Sequence, residues 1–139
     1  MIVLDTDVLS EMMRPEPDST VAAWISARPA SSLFTTTVTQ AEILCGLGLL
    51  PSGKGRAGLE AAVGEMFATD FGGRILPFDQ AAAQAYAEIA LARRRAGRPI
   101  TQFDAQIAAI ARSRDADVAT RNVADFEGCG IGVIDPWQG

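Results

Sequence analysis

A chain of 139 residues, 48% of them apolar and with a formal net charge of -5, is long enough for one domain with a real core and too apolar to be disordered. It contains no histidine, which excludes Ser-His-Asp and Cys-His catalysis, histidine acid–base ribonuclease chemistry and His-ligated zinc. The acidic balance argues against nucleic-acid binding over a broad basic surface, and leaves room for a local arginine patch or a bound cation.

Met1-Ile2-Val3-Leu4-Asp5-Thr6-Asp7 opens the chain. Ile2, Val3 and Leu4 are a continuous apolar run, as in a short strand buried on both faces of a parallel sheet. Asp5 closes the run at the carboxyl end, where open α/β sheets hold their ligands. The plainer reading is that Asp5 or Asp7 only caps the next helix. Val8 to Met13 is expected as a short helix, broken by Arg14-Pro15-Glu16-Pro17. Asp18 and Ser19 are N-cap candidates for a second helix to about Ala27, with Val21, Trp24 and Ile25 on one face.

Leu33-Phe34-Thr35-Thr36 is the second expected strand. Thr37 or Thr39 then caps a helix to about Leu50, with Val38, Ala41, Cys45 and Leu49 at helical spacing and most of the helix buried. Cys45 is accordingly expected as a buried thiol in a reducing compartment, since Cys45 and Cys129 form no CxxC pair. Pro51 to Gly58 is expected as a loop carrying Lys54 and Arg56. Gly48 to Gly55 nearly spells a phosphate-binding loop, but Gly55 stands where a Ser or Thr must follow the lysine. Leu59, Val63, Met66, Phe67 and Phe71 mark an amphipathic helix stopped by Gly72-Gly73.

Ile75-Leu76-Pro77-Phe78 is a short strand, placed at an edge by Pro77. Asp79 caps a long Ala-rich helix that Gly97 terminates. Thr101 and Asp104 have capping-box spacing for a helix whose core face holds Phe103, Ile107, Ile110 and Ala111. Val118-Ala119-Thr120 is a buried strand followed by Arg121-Asn122, and Asp125 lies on a short helical turn from Val123 to Glu127. Gly132-Val133-Ile134 is the last strand, and Pro136-Trp137 packs the tail. Strands alternate with helices throughout, so the expected fold is a single α/β domain over residues 1–139: a three-layer α/β/α sandwich with a mainly parallel sheet.

In that topology strand ends and helix starts meet on one edge, so Asp5, Glu42, Asp104, Asn122 and Asp125 can converge. Glu42 is the only charged residue between Arg28 and Lys54, and Asp104 the only one between Arg98 and Arg112. Converging carboxylates repel and must be protonated, hydrogen-bonded or neutralised by a cation. Oxygen donors suit Mg²⁺ or Mn²⁺, which promote in-line displacement at phosphorus without histidine or cysteine. The alternative is that Asp104 and Asp125 serve only as helix-start residues. Arg93, Arg94, Arg95 and Arg98 form the densest basic run. They are either an exposed helix end or a phosphate-binding patch in which Arg94 and Arg98 share a face.

The order of these stretches resembles the PIN-domain family, in particular the VapC/FitB-type toxins of type II toxin–antitoxin pairs. The resemblance rests on residues 1–11, Val38-Thr39-Gln40-Ala41-Glu42-Ile43, Gly73 to Asp79, Asp104 within Thr101 to Ala109, Ala119 to Asn122 with Asp125-Phe126, and Asp135-Pro136-Trp137. It implies a Mg²⁺- or Mn²⁺-dependent endoribonuclease with catalytic residues Asp5, Glu42, Asp104 and Asp125. Asp5 and Asp104 would be direct metal ligands, and Glu42 a ligand or the holder of a water molecule. It also implies an RNA substrate, a VapB/FitA-like antitoxin partner and a homodimer. The fourth acidic place is expected at Asp125, with Asn122 as a polar helper; Asp7 stands where the family more often has Asn. Thr6 and Thr120 are expected hydroxyl contacts to water or phosphate.

The segment before Asp5 lacks a basic leader pattern, and no apolar run approaches the ~18 residues of a membrane helix, so a cytoplasmic protein is expected. Two rival readings remain. A receiver-like signalling domain would need a mid-chain strand ending in an acceptor Asp and a late strand ending in Lys, and neither is found. An inactive PIN-like RNA- or protein-binding module is the other.

Overall fold

The computed structural model describes residues 1–139. Five short strands, β1 (Ile2–Leu4), β2 (Leu33–Thr36), β3 (Ile75–Leu76), β4 (Asp117–Ala119) and β5 (Val133–Ile134), form one sheet in the order β3-β2-β1-β4-β5. Every pairing is parallel, as the alternation of elements requires. β1 is central, with Val3 opposite both Phe34 and Val118. β3 lies at an edge, where the following Pro77 costs no ladder hydrogen bond.

Six helices cover the sheet: α1 (Thr6–Met12), α2 (Ser19–Ser26), α3 (Thr37–Gly48), α4 (Lys54–Glu65, continued by a π-helical turn Met66–Asp70), α5 (Gln80–Arg95) and α6 (Gln102–Ser113). Successive strand residues point to opposite faces. Val3 and Val118 therefore join one apolar cluster with α5 and α6, and Leu4, Leu33 and Ala119 join the other with α1 to α4. This gives the expected α/β/α layering. Alanines at 82, 85, 105, 108, 109 and 111 are buried, and their small side chains let α5 and α6 pack closely over the sheet. No helix is long and apolar enough to cross a membrane.

The caps follow the local chemistry. Asp18 accepts from the backbone N–H groups of Thr20 and Val21, Asp79 from that of Ala82, and Thr101 from that of Asp104. Gly97, at φ 71°, closes α5 in a conformation that disfavours any side chain.

Several local expectations are corrected. α1 starts at Thr6, capped by Asp5, and α3 is capped by Thr36 rather than Thr37 or Thr39. The face that α3 buries carries Val38, Thr39, Ile43 and Leu47, while Ala41, Cys45 and Leu49 are exposed. Apolar residues surround this helix, so its pattern cannot choose a face; packing against the rest of the α1 to α4 cluster buries Ile43 and Leu47 instead. Lys54 and Arg56 lie on α4, not in a loop, and Arg56 pairs with Glu60 at 2.6 Å. Phe103 is 55% exposed, on the side of α6 away from the buried Ala105, Ile107 and Ile110.

The basic run also divides. Arg93 is buried and donates to the backbone carbonyls of Arg98 (2.7 Å), Asp125 (2.9 Å) and Glu127 (2.7 Å). Arg98 lies past the end of α5, shares no helix face with Arg94, and pairs with Glu127 at 3.0 Å. Replacing Arg93 by Ala strips three carbonyls of their donor and leaves a void. We expect a loss of about 2–4 kcal/mol in unfolding free energy, read from urea denaturation.

Candidate functional site

β1 and β4 end side by side, joined by the Asp5 N–H donating to the Ala119 carbonyl at 2.9 Å. That pairing brings the residues just past each strand together. The Asp5 carboxylate is buried. Its Oδ1 accepts from the Thr6 N–H at 2.8 Å and its Oδ2 from the Thr120 hydroxyl at 2.9 Å. Asp7 lies in the first turn of α1. Its Oδ2 accepts from the Arg121 N–H at 3.0 Å and from the Asn122 side-chain amide at 3.3 Å. Its Oδ1 is buried with no hydrogen-bond partner.

Glu42 comes from α3 across β2. It is half-buried and accepts from the Thr6 hydroxyl at 2.9 Å, while Thr6 in turn lies 3.1 Å from the Thr39 hydroxyl. Thr6 thus spans two acids: its backbone holds Asp5 and its side chain holds Glu42. Asp104 enters from the first turn of α6. Asp5, Asp7, Glu42, Asp104 and Asn122 line one open cleft of about 550 Å³, with Thr6, Ser10, Glu11, Arg14, Arg121 and Trp137 completing the wall.

Asp5, Glu42 and Asp104 are therefore brought together as expected. Asp125 is not in the cleft wall. It sits exposed on the turn Val123–Phe126, near enough to raise the Asp104 pKa by its charge. Arg94 and Arg98 do not line the cleft either. Glu11, Arg121 and Trp137 lie in the stretches that carry the family resemblance but have no expected site role, and Arg14 lies outside those stretches; the meeting of α1 with the β4 and β5 ends gathers all four. Glu11 is buried, accepts from the Asp18 N–H at 3.0 Å and pairs with Arg14 at 3.3 Å, so it ties the Pro-rich loop to α1.

The cleft is electrostatically strained. Burial, reinforced by Asp7 and Asp104, pushes the Asp5 pKa from 3.8 up to about 7 against the opposing hydrogen bonds from Thr120 and Thr6. Asp7 and Asp104 are also raised, first by burial, with Asp104 adding to Asp7 and Asp125 adding to Asp104. The unpartnered Asp7 oxygen and the all-oxygen donor set fit a hard divalent cation. No three acidic side chains are gathered tightly enough to cage an ion alone. A Mg²⁺-like ion with one or two carboxylate ligands, completed by water and phosphate oxygens, suits that spacing.

The PIN domain family matches residues 2–127. The chain is 41% identical to the plasmid stability protein StbB of Pseudomonas syringae, 38% to the VapC ribonuclease Y4jK of Sinorhizobium fredii, and 36% to the toxin FitB of Neisseria gonorrhoeae, each over 99% of both chains. The crystal structure of FitAcB from Neisseria gonorrhoeae superimposes with a TM-score of 0.94 at 36% identity, covering 100% of both chains.

A carboxyl group whose pKa rises from 3.8 to about 7 on folding keeps its proton in the native state across that window. The folded protein then holds more protons than the unfolded chain, so stability without metal falls as pH rises from 3.8 to about 7. Thermal melts in EDTA should show this decline, and Asp5→Asn should remove most of it. Added Mn²⁺ should restore the neutral-pH stability of the parent protein but not of Asp5→Asn.

Proposed function

The chain belongs to the PIN-domain family, in its VapC/FitB branch, and we propose that it is a Mg²⁺- or Mn²⁺-dependent endoribonuclease, the toxin half of a toxin–antitoxin pair. The observation that carries this reading is one cleft in which Asp5, Asp7, Glu42 and Asp104 converge from three separate stretches of the chain, with one buried carboxylate oxygen unpartnered. Its relatives named VapC ribonuclease and toxin FitB support the same assignment.

In this reading Asp5 and Asp104 hold the cation. A bound divalent cation supplies activation of water and neutralisation of charge at the phosphate. Thr120 and Thr6 oppose the upward shift of Asp5 and aim its carboxylate by donating to it, and Thr6 fixes Glu42 through one oxygen, leaving the other to orient a water molecule. We assign Asp7 the role of an additional acid inside the cleft, steadied by Asn122. Asp125 contributes as a fifth acid from outside the wall, through its charge on Asp104. No histidine is present to protonate the leaving oxygen, so solvent water supplies that proton.

Two surfaces support partners. An apolar groove of about 490 Å³, lined in part by Leu9, Met12, Met13, Ile25, Met66 and Phe71, suits an apolar segment of an antitoxin. Leu44 on α3 and Leu49 at its C-cap stand exposed, and we assign such apolar surface to a homodimer. We assign the whole chain to a single cytoplasmic domain.

Cleavage of mixed cellular RNA by the purified, antitoxin-free protein in Mg²⁺, Mn²⁺ or EDTA tests the reading. Discrete fragments should need metal and should disappear in Asp104→Asn. Loss of both cleavage and Mn²⁺ binding in the folded parent would leave an inactive PIN-like binding module. Among the acids, Asp7→Asn should slow cleavage roughly ten- to hundredfold, as for groups that orient metal ligands. Asp125→Asn should cost less than about tenfold, because an exposed charge is screened.

A further inference from the structure

An acidic chain that binds RNA needs a cation placed where the strand crosses the acidic cleft. Only two cationic side chains line that cleft, Arg14 and Arg121. Arg14 is committed, since it pairs with the buried carboxylate of Glu11. Arg121 is exposed, forms no ion pair, and its side chain donates no hydrogen bond within the protein. It is nevertheless held in place. Its backbone N–H donates to Asp7 at 3.0 Å, and its guanidinium lies 5.0 Å from the centroid of the Trp137 ring.

Trp137 is in turn anchored. Its ring packs partly into the apolar cluster under α1 to α4, and its backbone N–H donates to the Asp135 carboxylate at 2.9 Å. The parallel pairing of β4 with β5, with the Thr120 N–H on the Ile134 carbonyl at 2.9 Å, is what brings positions 121 and 137 to the same rim. The result is a guanidinium beside an indole shelf and the acids, with its donors open to solvent and without a protein partner.

We propose that Arg121, propped on Trp137, is a phosphate-binding subsite that takes a backbone phosphate of single-stranded RNA next to the one being cleaved. The subsite rests on the ribonuclease reading. The guanidinium offers paired donors to phosphate oxygens, and the indole limits its freedom, so less order is lost when the strand arrives. It also offsets, at the one place that matters, the repulsion that a chain of net charge -5 exerts on RNA. Trp137 is here a positioning residue, acting through Arg121.

The test is fluorescence anisotropy of a fluorescein-labelled, random-sequence single-stranded RNA. It is titrated with protein in Mg²⁺ at several salt concentrations, in an Asp104→Asn background that removes cleavage. Arg121→Ala should weaken binding about tenfold and reduce the slope of log affinity against log salt by about 0.7, the value for one phosphate contact on a single strand. Arg121→Lys should keep the salt slope but recover only part of the affinity, since the ammonium lacks the paired donors. Trp137→Phe should bind nearly as the parent does, and Trp137→Leu, which keeps an apolar filler without a ring face, should weaken binding while thermal melts stay close to the parent. Arg14→Ala should change the salt slope less than Arg121→Ala. Unchanged affinity and slope in Arg121→Ala, with a parent protein that cleaves RNA, would overturn the subsite and leave the ribonuclease reading standing. A parent protein that neither binds nor cleaves RNA would overturn both.

Discussion

Asp5 is a carboxylate buried at the end of the central strand with two further acids facing it, and the surrounding architecture is built to tolerate that repulsion. The pairing of β1 with β4 places the Thr120 hydroxyl on one oxygen of Asp5, and the start of α1 places the Thr6 N–H on the other. Even so, burial and like charge hold its pKa near 7. Charge of one sign gathered in a low-dielectric wall is a standing cost that only a proton or a cation relieves. The same feature that lowers stability without metal therefore creates affinity for an ion.

The threonines distribute that tension. Thr36 caps α3, on which Glu42 faces the cleft while Leu44 and Cys45 face outward. Thr6 then joins Glu42 to the β1 edge, with Thr39 behind it. A chain of hydroxyls and one backbone N–H thus couples three elements that share no charge pair. On the far side, Asp7 binds the backbone of Arg121 and the amide of Asn122. An acid on the helix and an amide on the loop meet there, and the hydrogen bond between them stands in for what would be a second like-charge contact.

The arginines show how a net-acidic chain places its few cations. Arg93 is spent inside the fold, closing the carbonyls of the loop that carries Asp125, and Arg74 likewise donates to the carbonyls of Ala30, Leu33 and Asp70. Arg14, Arg56, Arg98, Arg112 and Arg114 each face a carboxylate. Arg121 instead rests on an aromatic face, which orients a cation without neutralising it.

Much of this was legible in the order of the residues. Short β-branched runs, Gly stops and Asp or Thr caps act within a few residues, so they determine by themselves the five strands, the helix starts at Asp18, Asp79 and Thr101, and the parallel layering. The lone charges Glu42 and Asp104 in apolar stretches likewise announced themselves. What only the tertiary structure decided is orientation and adjacency. The apolar residues of α3 surround the helix, so pattern could not say that Cys45 faces solvent. The arginine run at the end of α5 could not say that Arg93 turns inward to three carbonyls. Nothing local distinguishes Asn122, in the wall, from Asp125, outside it, three residues apart on a turn. Nor could spacing join Arg121 to Trp137, because the register of β4 with β5 makes them neighbours. Local structure follows from short-range sterics and hydrogen bonding, whereas a site assembled from distant stretches depends on which strand ends the sheet brings side by side.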